Sequence, residues 1–185
     1  GLEYLGPLGF TTIRCILGGL SMIPLVKYIE KKEKLDGTFE QRPTTKEGLK
    51  GAIICGLFLS AVIICQQVGL QFTTVGKAGF ITSVYILLTP ISGLFLGKAV
   101  QKNTWIAVFI ALVGMYLMCF TDGFENLNFG DIFMMVAACA CAGHMHAIDH
   151  YVAKMEVIKL SCYQFLVVGA VCFIPTLILE HDTFI

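Results

Sequence analysis

The chain has 185 residues, 56% of them hydrophobic and 14% charged, with thirteen basic side chains balancing thirteen acidic ones. A soluble domain carries roughly 25% charged residues, and the mean hydropathy of +0.78 leaves far more apolar surface than a water-soluble fold can hide. Zero net charge also gives no electrostatic footprint for nucleic acid.

Six apolar stretches follow one another, each about twenty residues long and able to cross a hydrocarbon core at about 1.5 Å per residue. They must be helices, because backbone amides in lipid need partners within their own segment and no strand alternation is visible. The first covers residues 8–27 and carries Arg14 about one and a half turns inside it. With no basic segment before it, this stretch reads as a span, not a cleaved leader. An unpaired guanidinium costs about 2.5 to 3.5 kcal/mol at the bilayer centre. Arg14 therefore either faces a water-filled space or snorkels to the outer headgroups, with Glu3 in reach.

The polar stretch 28–49 and its flanks hold Lys27, Lys31, Lys32, Lys34, Arg42, Lys46 and Lys50, seven of the thirteen basic residues, which makes this loop cytoplasmic. The second span, 50–72, ends with Gln66, Gln67 and Gln71; the last two are four apart and share a helix face. The third span, 78–97, carries Thr82, Ser83, Tyr85 and Thr89, and Pro90 in its middle predicts a kink, because proline gives no backbone hydrogen bond. Gly93 and Gly97 form a small-residue pair suited to close helix approach. Lys77 opens this helix against an unfavourable dipole, which fits either an interfacial anchor or an anionic group of the substrate nearby. Polar side chains here either line a cavity or bridge helices. Gln67 and Tyr85 combine bulk with hydrogen bonding and are the stronger cavity candidates, with Gln71, Thr82 and Arg14 beside them.

The fourth span is 104–121 and the fifth 130–150, opened by Asp131 in a capping position. The fifth ends in the cluster His144, His146, Asp149 and His150. His146 and His150 lie four apart, but spacing fixes no third ligand, so no metal site is assigned. His144 lies about 9 Å deeper than His150 and is a candidate to line the cavity or carry a proton. The sixth span is 160–179.

Lys98 and Lys102 follow the third span and Lys154 and Lys159 the fifth, so eleven of thirteen basic residues fall on the side of the 28–49 loop. Asp122, Glu125, Glu180 and Asp182 fall on the other side with Lys77. Even numbers of crossings separate the basic loops, so span count and charge count agree. The eight cysteines all sit in apolar runs and read as small packing residues; Cys139 and Cys141 point to different helix faces.

A weak internal symmetry links the first and last spans. Arg14, Gly19 and Pro24 recur in order as Gln164, Gly169 and Pro175, with the proline slipped by one residue. The two spans cross in opposite directions, as a five-helix unit repeated once and inverted requires.

The chain resembles the EamA-type branch of the drug/metabolite transporter superfamily. The resemblance is carried by Gly6-Pro7-Leu8 with Phe10 and Arg14, by Gln67-Val68-Gly69-Leu70-Gln71-Phe72-Thr73, and by Gly76-Lys77-Ala78-Gly79-Phe80-Ile81-Thr82 on to Tyr85 and Pro90. It continues through Gly114-Met115-Tyr116-Leu117, Gly130-Asp131, Ile148-Asp149-His150 and Gln164-Phe165. The resemblance implies an all-α polytopic membrane bundle of ten helices in two inverted five-helix repeats. Against that pattern the chain supplies helices two to seven: residues 1–121 most of the first repeat, and 122–185 the start of the second. It implies a permease of the plasma membrane that moves small organic solutes or metabolites by alternating access, with export as the direction. A homodimer is compatible with it, no cofactor is called for, and His144 departs from a position that is often aromatic. The rival readings are a membrane-embedded metal enzyme on His144, His146 and His150, and a helical scaffold that moves nothing.

Overall fold

The structure, a computed structural model, describes residues 6–36, 46–119 and 128–179. Glu3, Arg42, the acidic residues 122–125 and the terminal Glu180 and Asp182 lie outside the described residues. The described residues form seven helices: α1 (Pro7–Asp36), α2 (Lys46–Gly69), α3 (Val75–Ser83), α4 (Tyr85–Phe95), α5 (Lys102–Cys119), α6 (Phe129–Tyr151) and α7 (Val157–Leu179). Five segments are long and apolar enough to span a membrane: Gly9–Tyr28, Lys46–Gly69, Val75–Phe95, Phe129–Tyr151 and Val157–Thr176. α5 is apolar over the shorter Lys102–Leu117. The chain is an all-α polytopic helical bundle.

Two boundaries depart from the sequence expectation. The predicted loop 28–49 is partly helical, because α1 runs on to Asp36 and α2 already begins at Lys46. Lys and Glu are strong helix formers, so the charge run marks the end of the apolar segment and not of the helix. The third span is in turn two helices. At Val84 the N–H goes to Ile81 O at 3.2 Å, a tight three-residue turn, in place of Phe80 O four residues back. The Ser83 hydroxyl donates to that Phe80 carbonyl at 2.6 Å, which satisfies the acceptor the ladder leaves behind. The break is thus at Val84, six residues before Pro90, which lies inside α4. Thr89 and Ser92 hydroxyls also donate to carbonyls one turn back, at 2.8 and 2.6 Å, a pattern that bends helices.

Gly97 is not a packing glycine. It takes φ 74°, and no heavy atom lies within 4 Å of where its Cβ would be. It closes α4: its N–H bonds Leu94 O at 3.0 Å and Lys98 N–H bonds Gly93 O at 2.9 Å, the paired bonds of a left-handed C-terminal cap.

Two compact units can be distinguished, residues 1–60 with 147–185, and residues 61–146. In the first, α1 and α7 run antiparallel. Thr12 and Thr176 hydroxyls meet at 3.1 Å near one end, and Cys162 Sγ donates to Gly19 O at 3.3 Å further along. Between them the packing is reciprocal. A Cβ on Gly19 would meet Leu166 Cδ2 at 2.9 Å, and one on Gly169 would meet Ile16 Cγ1 at 2.5 Å. α2 packs through small residues as well: Gly48 against Met155, Gly51 against the Tyr151 ring, and Gly56 against Val167, whose Cγ1 would lie 2.6 Å from a Cβ added there. Ala52 and Cys55 form a buried cluster with Met155 and Leu160. At this end Lys154 Nζ pairs with Glu47 at 3.2 Å.

The second unit is tied at the opposite ends of its helices. A Cβ on Gly130 would lie 2.6 Å from Gly69 O and 2.9 Å from Phe72 Cβ, so the end of α2 and the start of α6 touch backbone to backbone. Phe72, Phe129 and Phe133 stack edge to face around this contact.

Candidate solute pocket and a buried ion pair

Asp131 and Lys77 anchor the second unit. Asp131 is the third residue of α6, and its Oδ2 accepts from the Asn128 backbone N–H at 2.8 Å, the returning half of a capping box. Its Oδ1 accepts from the Thr73 hydroxyl at 2.8 Å, and Lys77 Nζ completes the set at 2.5 Å. Asp131 is 4% exposed and the Lys77 side chain 11%. Lys77 is therefore an ion-pair partner, a role that neither an interfacial anchor nor a solute-binding cation describes. Thr74 caps α3 through the Lys77 N–H at 3.4 Å, so capping residues and ion pair fix the starts of α3 and α6 together.

Beside this anchor lies a pocket of about 380 Å³. The end of α2 contributes Gln66, with Leu70 just past it, α3 contributes Val75, Ala78, Gly79, Thr82 and Ser83, and α4 contributes Tyr85 and Ile86. Met115 of α5 and Met134 of α6 close it. The break at Val84 gives the pocket both of its neighbours, Ser83 and Tyr85. Two of the polar groups are already used, since Thr82 Oγ1 donates to Met134 Sδ at 3.5 Å and Ser83 to Phe80 O. Among the described residues, nothing bonds the Gln66 amide or the Tyr85 hydroxyl.

Of the residues singled out from the sequence, Thr82 and Tyr85 line this pocket. Gln67 and Gln71 do not: Gln66 and Leu70 form the lining face, one residue or about 100° round the helix. Gln71 lies past the end of α2 and is exposed, its N–H turned back to Val68 O, so the shared face of a continuous helix no longer applies. Arg14 is exposed on α1 in the first unit.

His144 is buried on α6 and does not line the pocket; it makes interactions of its own. His146 Nε2 lies 2.7 Å from Ser92 Oγ, and Gly93 leaves space for the ring, whose Cε1 would sit 3.6 Å from a Cβ there. The direction of this hydrogen bond follows the imidazole tautomer, and Ser92 Oγ also lies 2.6 Å from Leu88 O. His150 is exposed and stacks edge-on against Tyr151 at 4.9 Å. Among the described residues no three His, Cys, Asp or Glu side chains converge on one point.

The EamA-like transporter family matches residues 1–120 of the chain. The chain belongs to that family. An uncharacterized transporter of Archaeoglobus fulgidus is 31% identical over 164 residues, which cover 88% of this chain. The chain spans about half the length of that relative, 46% of it. No solved structure matches. EamA membership and five long apolar helices together make this a multi-pass protein of the cell membrane.

Proposed function

We propose that the chain forms one wall of a permease for small organic solutes, with the pocket between α2, α3, α4, α5 and α6 as its solute site and export as its direction. The observation that carries the reading is the pair of unbonded polar side chains, Gln66 and Tyr85, in a pocket among apolar spans. Polar groups within a bilayer demand partners, and a solute with its own hydrogen-bonding groups supplies them. Family membership supports transport over an enzymatic role.

Alternating access is supported by two features. A discontinuous span beside the site is a recurring device of transporters, and the Val84 break stands between Ser83 and Tyr85. The second is the reciprocal α1–α7 packing. An offset of 150 residues carries Ile16 to Leu166 and Gly19 to Gly169, and it exchanges one observed contact for the other. Any antiparallel helix pair exchanges contacts in this way; what favours an inverted repeat is that the offset also carries glycine to glycine. On the proposed topology, the Lys154–Glu47 pair lies at the cytoplasmic end and the Lys77–Asp131 pair at the outer end. An untargeted comparison of metabolites in medium and cells, with and without the complete gene, tests the reading. Transport predicts that a set of solutes shifts from medium to cell interior when the gene is lost; identical profiles refute it.

A further inference from the structure

We infer that the pocket selects uncharged solutes with an apolar or aromatic body and at least one hydrogen-bonding group, and rejects organic acids, amines and zwitterions. This rests on the reading of the pocket as the solute site and goes on to name the class that fits it.

The lining chemistry carries the argument. Among the described residues, no charged side chain lines the pocket. The two charges that flank it are already spent on each other. Lys77 immediately precedes the lining residue Ala78, and Asp131 stands one turn before the lining residue Met134, yet Lys77 Nζ sits on Asp131 Oδ2. Asp131 also accepts from Thr73 and from the Asn128 backbone. A carboxylate or ammonium entering this space would give up hydration and meet no counter-charge from the described residues of this wall, a loss that apolar contacts do not offset. An uncharged solute meets no such cost.

The groups that do face the space suit a ring with a polar tip. Met115 and Met134 present polarizable thioethers, which favour aromatic edges, and the Tyr85 ring adds an aromatic wall. The Gln66 amide offers both donor and acceptor, and the Tyr85 hydroxyl offers either. About 380 Å³ falls within the range of small-molecule sites, roughly 300 to 1,000 Å³.

The test is a matched series on one body: 2-phenylethanol, phenylacetate, phenethylamine and phenylalanine. Binding of each is measured at pH 7 by equilibrium dialysis to the complete gene product in nanodiscs, with empty nanodiscs subtracted. 2-Phenylethanol should bind saturably and at least about tenfold more tightly than each charged relative. Loss of one pocket hydrogen bond in Gln66→Leu should weaken it about fivefold, and Tyr85→Phe, which keeps the ring and its packing, should act in the same direction. Binding of a charged member at least as tight, weakened by these same substitutions, would overturn the uncharged class while leaving the pocket as the solute site. Absence of any binding sensitive to either substitution would overturn both.

Discussion

Substituting Gly130 by Ala probes the contact that holds α2 against α6. The added Cβ would stand 2.6 Å from Gly69 O, 2.9 Å from Phe72 Cβ and 3.1 Å from Phe72 C. Two of these three atoms are backbone, so no rotamer change relieves the clash, and the helix ends must separate. Overpacking of this kind costs about 1 to 3 kcal/mol. Opposing it, alanine is favoured over glycine in a helix interior by about 1 kcal/mol, but Gly130 is the second residue of α6, where that gain is smaller. A net loss near 1 to 2 kcal/mol follows from these two ranges, or about a tenfold shift in the folding equilibrium. Gly18 and Gly114 supply the controls, because no heavy atom lies within 4 Å of a Cβ at either. Denaturation in mixed detergent micelles, followed by circular dichroism, reads all three. Gly130→Ala should unfold at lower denaturant, whereas Gly18→Ala and Gly114→Ala should match or exceed the parent. A Gly130→Ala variant as stable as those controls would refute the backbone contact.

Removing one member of the buried ion pair should be worse than removing both. Asp131→Ala leaves the Lys77 ammonium without its carboxylate and should cost about 3 to 5 kcal/mol in the same assay, while Lys77→Met with Asp131→Leu should recover most of the loss. Equal loss in single and double variants would contradict the pairing. Gly97→Ala forces a Cβ into a left-handed backbone and should cost about 1 kcal/mol, despite the open space around it; an unchanged midpoint would argue against the cap. Labelling of single cysteines with a membrane-impermeant maleimide should reach Lys50→Cys from the cytoplasm and Asn128→Cys from outside. The reverse pattern would invert the proposed topology.

The membrane class and five of the six expected spans were readable from hydropathy along the chain, because spanning length is set by bilayer thickness and requires no knowledge of neighbours; α5 is apolar over a shorter stretch. Helix ends in polar surroundings were less so: nothing in Lys31 to Asp36 marks a stop, and hydropathy reports lipid and not hydrogen bonding. The break at Val84 has neither glycine nor proline beside it, and its signal, a serine placed to take the Phe80 carbonyl, is only meaningful once the ladder is seen. Pro90 marks the same span but carries no signal for the break six residues before it. Gln66 stands beside Gln67 in the sequence, and the choice between them as lining is decided by the rotation of α2, where one residue is about 100°. Lys77 and Asp131 were each recognised at helix starts, but a separation of 54 positions hid their pairing, which accompanies the approach of Gly69 to Gly130.

The central claim is that the pocket bearing Gln66 and Tyr85 carries the transport. Cells lacking the gene are complemented with the complete parent gene or with the Gln66→Leu, Tyr85→Phe double variant, and the metabolite profiles of their medium are compared at equal membrane abundance of the two proteins. The account predicts that the parent restores the wild-type profile and that the double variant leaves the deletion profile in place. Full restoration by the double variant would contradict it.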